Sequence, residues 1–204
     1  MRLRVRKAIL ESIEKGVEAI QTLRSEEGIR FIENVAEAIT QCYRNGGKLL
    51  IAGNGGSLCD SMHFAEEMVG FFRKKRKALP AIAISDPGLL TCIGNDVGFE
   101  EVFSRVIEAH GNSGDLFIAL TTSGNSQNLV QAVEVAKEKG LKVVNFLGKT
   151  GGALKGTGDY EWIVSGFEFS DRVQEAHMTA IHIIIEMVER ELFFPAKEME
   201  KAGV

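Results

Sequence analysis

A histidine and a glutamate stand four residues apart, at His63 and Glu67, in a segment around residues 62–68 that we predict to be helical. Side chains at this spacing share one helix face. Such a pair can bind a metal ion, or it can combine a general base with the group that orients it. The same spacing is common on solvated helix faces, so the pair by itself leaves both interpretations open.

Two more polar groups, Gln174 and His182, lie on a predicted long helix over residues 172–193. His182 interrupts an apolar run at 181–185, so we expect either a functional histidine or a hydrogen-bonded core histidine rather than a solvated one. The eight residues between the pair span about 12 Å along a straight helix. One metal ion reaches both side chains only if Gln174 lies at or before the first turn of the helix.

Four hydroxyls and an amide fall within the six residues 121–126 (TTSGNS), between a predicted strand and a predicted helix. Ligands of open α/β sheets bind beyond the carboxyl ends of strands, and a helix start at that edge favours phosphate. Hydrogen bonds to a charged partner contribute about 1.5 to 3 kcal/mol each, so these hydroxyls form a predicted phosphate site. They belong to Thr121, Thr122, Ser123 and Ser126. Alternatively, Ser126 is only a helix N-cap in a polar turn.

A glycine-rich turn, residues 53–57 (GNGGS), lies between the first predicted strand and the helix that carries His63. Its glycines let the backbone approach a ligand, and the N–H groups that open the helix would face an anion. Plain chain reversal explains such a turn equally well.

Other polar residues give weaker signals. Asn95 and Asp96 end a predicted loop, where they either contact a sugar or make an Asx turn. The basic run at 73–77 is either a solvated loop or a feature that attracts an anionic substrate. We expect Glu175 and His177 to be surface or subunit-contact groups.

Short apolar runs alternate with helical patterns from residue 48 onward. Continuous rather than alternating apolarity is typical of parallel strands covered on both faces. Right-handed crossovers then produce an α/β fold, a three-layer αβα sandwich with a five-stranded parallel sheet. The predicted strands are 48–52, 80–85, 115–121, 141–147 and 160–164.

The segments around the sheet complete the predicted organisation. Helical spacing of apolar residues predicts an N-terminal helical hairpin over about 1–46, before an α/β core over about 47–194. Residues 195–204 are polar and should fray. Without an internal repeat or a low-complexity linker, we predict one domain over 1–204. The apolar stripe of the first helix needs cover from the domain or from another subunit, which favours an oligomer.

The composition excludes several classes of protein. Of the 204 residues, 45% are hydrophobic and 25% are charged, as in ordinary soluble proteins. A net charge of −4 argues against nucleic-acid binding. Neither a membrane span nor a signal peptide fits the apolar segments, so we expect a cytoplasmic protein. The three cysteines contain no CxxC pair, so neither a disulfide framework nor a cysteine zinc site is predicted.

Six sequence motifs occur together and in the same order as in the sugar-isomerase (SIS) domain family. Through them the chain resembles this family and, within it, the phosphoheptose isomerases. The resemblance runs from about the first helix to Leu192. The motifs are GNGGS (53–57), MHFAEE (62–67), PAIAIS (80–85), GND (94–96), TTSGNS (121–126) and RVQEAH (172–177). The resemblance implies a flavodoxin-like core and a homotetramer that converts D-sedoheptulose 7-phosphate to D-glycero-D-manno-heptose 7-phosphate. This is the first step toward activated heptose for lipopolysaccharide or related glycans.

The same resemblance implies roles for individual residues. Glu67 and His182 match the catalytic acid/base pair. The positions that hold a zinc ion, one per subunit, are His63, Glu67, Gln174 and His182. The substrate-binding positions are Asn54, Gly55, Gly56, Ser57, Glu67, Asn95, Asp96, Thr121, Thr122, Ser123, Ser126 and Gln174.

The chain departs from the family pattern in two places. Phe71 stands where an arginine is common, with Arg73 two residues on, so one anion or subunit contact of the family is in question. Thr121 replaces a usual serine but keeps the hydroxyl.

An aldose–ketose isomerase needs a base that removes a proton from the carbon beside the carbonyl and an acid that protonates the carbonyl oxygen. Glu67 and His182 can supply these two groups, and either residue can be the base. If zinc binds through both residues, either one ligand detaches or the metal polarises the carbonyl as a Lewis acid. Two non-catalytic alternatives are a SIS protein that binds a replication initiator and a sensor of sugar phosphates. The resemblance favours the enzyme, because the initiator-binding branch lacks the acid/base pair.

Overall fold

Two helices precede the sheet in the computed structural model, which describes residues 2–194: α1 (Arg2–Gln21) and α2 (Glu26–Arg44). Ser25 begins α2, because its hydroxyl accepts a hydrogen bond from the Gly28 N–H at 3.1 Å. Both helices contact the final helix of the chain, and α2 also contacts the last strand. The expected polar tail, 195–204, lies outside the described residues.

Five parallel strands form one sheet: β1 (Leu49–Gly53), β2 (Ala81–Ala83), β3 (Leu116–Leu120), β4 (Lys142–Gly148) and β5 (Tyr160–Val164). Their order across the sheet is β2-β1-β3-β4-β5, which is the flavodoxin-like order. The predicted fold class is therefore confirmed. β2 is shorter than the predicted 80–85, because this edge strand pairs only with β1, from Ala81 to Ala83.

The remaining helices are α3 (Gly56–Val69), α4 (Pro87–Asp96), α5 (Ser104–His110), α6 (Gln127–Glu138) and α7 (Ser170–Phe193). Two apolar cores flank the sheet. One contains side chains of α2, α3 and α7, and the other contains side chains of α5 and α6. Successive β1 residues alternate between them, Leu49 and Ile51 facing one core and Leu50 and Ala52 the other. Both faces of β1 are therefore apolar.

Two local expectations are wrong. Asn95 and Asp96, predicted to lie in a loop, are instead the last two residues of helix α4. The Asp86 carboxylate caps the start of this helix by accepting a hydrogen bond from the Leu89 N–H at 2.8 Å. The last helix begins at Ser170 rather than at residue 172. Gln174 is therefore the fifth residue of α7, one position beyond the first turn.

No helix between residues 2 and 194 combines the length and the apolarity that crossing a membrane requires.

Candidate active site

The two predicted ligand-binding turns lie side by side at the carboxyl edge of the sheet. Residues 53–57 span the end of β1 and the start of α3, and residues 121–126 follow β3. β1 and β3 are neighbours from which the chain departs in opposite directions. Such a switch point is where open α/β sheets bind ligands. The side-chain amides of Asn54 and Asn128 join the turns by two reciprocal hydrogen bonds of 2.9 and 3.0 Å. The sequence analysis did not single out Asn128, which lies on the helix after the second turn.

Internal hydrogen bonds shape the hydroxyl-rich turn. The buried Thr121 hydroxyl accepts from the Gly124 N–H at 3.1 Å, and the Ser123 hydroxyl accepts from the Asn125 N–H at 3.2 Å. Ser126 stands at the N-cap position of α6, but its hydroxyl makes no cap hydrogen bond within the described residues. The N-cap interpretation therefore does not account for this hydroxyl. The Ser126 hydroxyl and the opening amides of α6 can thus serve an anion.

The glycine-rich turn brings the starts of α3 and α7 together. Gly55 has a φ of +57°, and a side-chain carbon at Gly56 would lie 2.6 Å from the Gln174 amide nitrogen. That nitrogen lies 3.4 Å from the Ser57 hydroxyl, to which it donates. Gly56 therefore leaves the space that the Gln174 side chain occupies.

His63, Glu67 and His182 form a cluster between α3 and α7. The Nε2 atoms of the two imidazoles are 3.0 Å apart, and His63 Nε2 is 3.6 Å from a Glu67 carboxylate oxygen. Glu66, absent from the predicted set, contacts the other His63 nitrogen at 3.1 Å. The sequence predicts that His63 and Glu67 share a face, and the fold supplies His182 from the facing helix.

Burial brings the proton affinities of Glu67 and His182 closer together. The pKa of Glu67 is raised, first by burial and then by the neighbouring Glu66 carboxylate. The pKa of His182 is lowered, first by burial and then by the charges of His63 and Arg73. A carboxylate with a raised pKa and an imidazole with a lowered pKa differ less in proton affinity, which suits both to proton exchange with a substrate.

The cluster has the donor set of a divalent metal site. Ligand atoms of His63, Glu66 and Glu67 lie within 4.8 Å of one another, and His182 Nε2 faces His63 Nε2 at 3.0 Å. Two imidazole nitrogens and a carboxylate oxygen are ligands that zinc prefers. Within one chain, the Gln174 amide instead reaches Gly56 and Ser57, eight residues before His182 on the same helix.

The basic run 73–77 is more structured than predicted. The Arg76 side chain is only 1% exposed and forms a 2.7 Å ion pair with Glu189 of α7. The preceding Phe72 ring stacks on His182, with centroids 5.5 Å apart. The sequence analysis missed Glu189, although it lies seven residues after His182 and so on the same helix face.

His177 is a core residue, which corrects its expected surface position. It follows Val173 by four residues and shares the helix face that packs on the sheet. Its Nε2–H donates to the Leu147 carbonyl at 2.9 Å. Burial disfavours the charged imidazolium and lowers the pKa of His177 from 6.5 to about 4.

We expect His177 to make the protein less stable in mild acid. The folded state binds fewer protons at His177 than the unfolded state between pH 6.5 and about 4. Its contribution is therefore complete above pH 6.5 and falls by about 3 kcal/mol as pH decreases through this window. Chemical denaturation of wild type and His177→Gln at both ends of the window measures it.

The test compares the unfolding free energies of the two proteins, because Asp60 has an opposite pH effect that both proteins share. Burial raises the pKa of Asp60 to about 6, so this residue makes the folded state more stable as pH decreases. A His177→Gln protein with the same pH dependence of unfolding free energy as wild type would contradict the prediction.

Asn95 and Asp96 lie apart from the cluster in the hydrogen-bond network. The Asn95 amide donates to Asp96 at 2.6 Å, and both side chains are exposed at the end of α4. No hydrogen bond among residues 2–194 links either to the two turns or to the histidines.

Sequence similarity to known proteins identifies the family of this chain. The SIS domain family matches residues 11–148. The phosphoheptose isomerase of Fusobacterium nucleatum subsp. nucleatum is 54% identical over 179 residues, which cover 88% of this chain and 91% of that protein. The chain therefore belongs to the SIS domain family and, within it, to the phosphoheptose isomerases.

Solved structures agree with that assignment. A phosphoheptose isomerase from Francisella tularensis superposes with a TM-score of 0.86 at 32% identity, covering 91% of this chain and 98% of that one. The phosphoheptose isomerase of Neisseria gonorrhoeae gives a TM-score of 0.78 at 37% identity, covering 92% and 98% of the two chains.

Proposed function

We propose that this chain isomerises D-sedoheptulose 7-phosphate to D-glycero-D-manno-heptose 7-phosphate through an enediol, as an early step toward activated heptose. The observation that carries the proposal is the contact of His63, Glu67 and His182 between α3 and α7. Membership among the phosphoheptose isomerases supports this substrate. The phosphorylated substrate and the free cysteines are consistent with a cytoplasmic enzyme.

The phosphate is proposed to bind at residues 121–126, through the hydroxyls and the opening amides of α6. The neighbouring turn at 53–57 and the Gln174 amide border the same space. Asn95 and Asp96 are proposed to contact the sugar. Anchoring the phosphate fixes the register of the carbon chain, so that one proton at C1 faces the base.

Glu67 and His182 are proposed to divide the proton transfers between carbon and oxygen. One removes the C1 proton and delivers a proton to C2, while the other exchanges a proton with the substrate oxygens. Alternatively, a zinc ion held by His63, Glu67 and His182 would polarise the carbonyl as a Lewis acid, and a residue that binds zinc would have to detach before it could transfer a proton. Gln174 is the fourth proposed ligand, supplied by another chain, because within one chain it lies beyond the first turn of α7 and its amide reaches Gly56 and Ser57.

The lengths of α3 and α7 imply that the complete site combines subunits. Glu67 lies eleven residues after Gly56, the first residue of α3, or about 16 Å along the helix. His182 lies twelve residues after Ser170, the first residue of α7, or about 18 Å. Both helices start beside the phosphate turn, where Thr122 and Ser170 hydroxyls are 3.1 Å apart. An extended heptose phosphate is shorter than these distances, so we infer that each site uses more than one chain.

The proposed assembly is a homotetramer formed by one SIS domain per chain. One face of α1 leaves apolar side chains in water, with Leu3 86%, Ile13 54% and Val17 44% exposed. Such a stripe is typical of a surface covered by another subunit. We expect light scattering to give the mass of four chains, and Ile13→Glu to lower both that mass and the isomerase activity.

Glu14→Ala is the matched control, because Glu14 is an exposed polar neighbour on the same helix. It should leave mass and activity unchanged. A wild-type protein that is monomeric at micromolar concentration yet fully active would contradict the shared site.

An assay with D-sedoheptulose 7-phosphate, read by NMR, tests the function. We expect the aldose product and, by elemental analysis of the same sample, zinc bound to the protein. Binding of the sugar phosphate without product would indicate a sensor instead of an enzyme.

A further inference from the structure

The ion pair between Arg76 and Glu189 connects the two elements that carry Glu67 and His182, and we propose that it is a positioning pair that sets their separation. This inference rests on the proposed function. Both side chains are almost completely enclosed, at 1% and 4% exposure.

Glu189 organises the loop that follows α3. Its carboxylate accepts from Arg76 Nε at 2.7 Å and from the Phe72 N–H at 3.0 Å. It also accepts from the Arg73 N–H at 3.3 Å. Three donors from one loop therefore converge on a single side chain of α7.

Arg76 holds the end of α3. Its guanidinium donates to the carbonyls of Glu67 at 2.8 Å, Met68 at 2.6 Å and Gly70 at 3.0 Å. The last carbonyls of a helix have no partner within the helix, so these bonds close that end. One of them is made to the backbone of Glu67 itself.

The pair also acts on His182 from the other side. Phe72, held by its N–H on Glu189, stacks on the His182 ring at 5.5 Å with planes 18° apart. Glu189 and His182 lie seven residues apart on one face of α7. The backbone of Glu67 and the ring of His182 are thus both fixed to the same two charges.

Stability alone does not explain a buried ion pair, because apolar side chains of similar volume are often at least as stabilising. The fixed geometry of a guanidinium on several carbonyls has a different effect: it specifies one arrangement of two helices. Errors of about 1 Å between reacting groups cost roughly a hundredfold in rate.

The chain offers a matched control in a second ion pair, between Lys48 and Asp115, which directly precede β1 and β3. Asp115 accepts from Lys48 Nζ at 2.6 Å and from the Lys48 and Asn112 N–H groups, each at 2.9 Å. Its side chain is 4% exposed, as is that of Glu189. Glu189→Gln and Asp115→Asn therefore remove equivalent charges, and only the first lies beside the cluster.

We expect Glu189→Gln to lower kcat roughly ten- to a hundredfold while KM changes less than about twofold, because the phosphate contacts lie on another element. Asp115→Asn should lower the melting temperature similarly and leave kcat of the folded protein unchanged. Should Glu189→Gln fail to fold, Glu189→Asp keeps the charge but shortens the side chain, and it should show the same loss confined to kcat.

Histidine NMR tests the inference independently of activity. The imidazole resonances of His182, which the Phe72 ring shifts, should move in the Glu189 variants and stay in Asp115→Asn. Unchanged His182 resonances and unchanged kcat, or an equal loss of kcat in Asp115→Asn, would overturn the positioning role. An inactive wild type would refute the proposed function, while the NMR comparison would still decide the positioning.

Discussion

Glu67→Gln and His182→Asn should each lower turnover by roughly 10² to 10⁴, with little change in KM for the sugar phosphate. Each substitution keeps the approximate shape of the side chain and removes a group that transfers protons. The proposed phosphate contacts come from residues 121–126, on different elements, so substrate binding should persist. Steady-state kinetics with D-sedoheptulose 7-phosphate separates the two parameters.

Ser123→Ala is the contrasting variant, since it removes a proposed phosphate-binding hydroxyl and should chiefly raise KM. Circular dichroism should show all three variants folded. A Glu67 or His182 variant that retained more than about a tenth of wild-type turnover, outside the range expected for an acid or base group, would lose its assigned role.

Gly124→Ala should raise KM about ten- to a hundredfold, equivalent to one lost hydrogen bond to a charged group. A side-chain carbon at Gly124 would lie 1.8 Å from the Gly151 carbonyl oxygen, and its φ of +68° already disfavours alanine. The turn at 121–126 must therefore shift away from the loop at 151–152. The hydroxyls of Thr121 and Ser123, which bond within this turn, move with it.

Gly46→Ala separates the effect of a positive φ from the effect of the steric clash. Gly46 also has a positive φ, +79°, but a side-chain carbon there meets nothing within 4 Å. It should cost only about 1 kcal/mol of stability and leave KM unchanged. Equal KM values for Gly124→Ala and wild type would show that this turn does not hold the phosphate.

The sheet is predictable from sequence because parallel strands with a core on each face are apolar at every position. β1 and β3 are buried throughout; β3 lies inside the predicted strand 115–121, and β1 extends one residue beyond the predicted 48–52, to Gly53. The edge strand β2 is less predictable, since its extent depends on pairing with β1. The end of helix α4 was predicted as a loop, because the polar residues there resemble a turn.

The sequence predicts which residues belong to the candidate site better than it predicts how they are arranged in space. Spacing places His63 and Glu67 on one face, but it does not say which helix packs against them. His177 and His182 have similar surroundings in the sequence, and only packing distinguishes the buried core histidine from the one facing His63. The pair of Arg76 and Glu189 is separated by more than a hundred residues, beyond any local pattern.

One measurement tests the central claim, proton transfer through an enediol, most directly: NMR of the heptose 7-phosphate formed from D-sedoheptulose 7-phosphate in D₂O. Glu67 is partly exposed, with 19% of its side chain in contact with solvent, so a proton it carries can exchange with solvent. The account predicts deuterium at C2 of the aldose product. A product whose C2 hydrogen comes entirely from C1 of the ketose, as in a hydride shift, would contradict it.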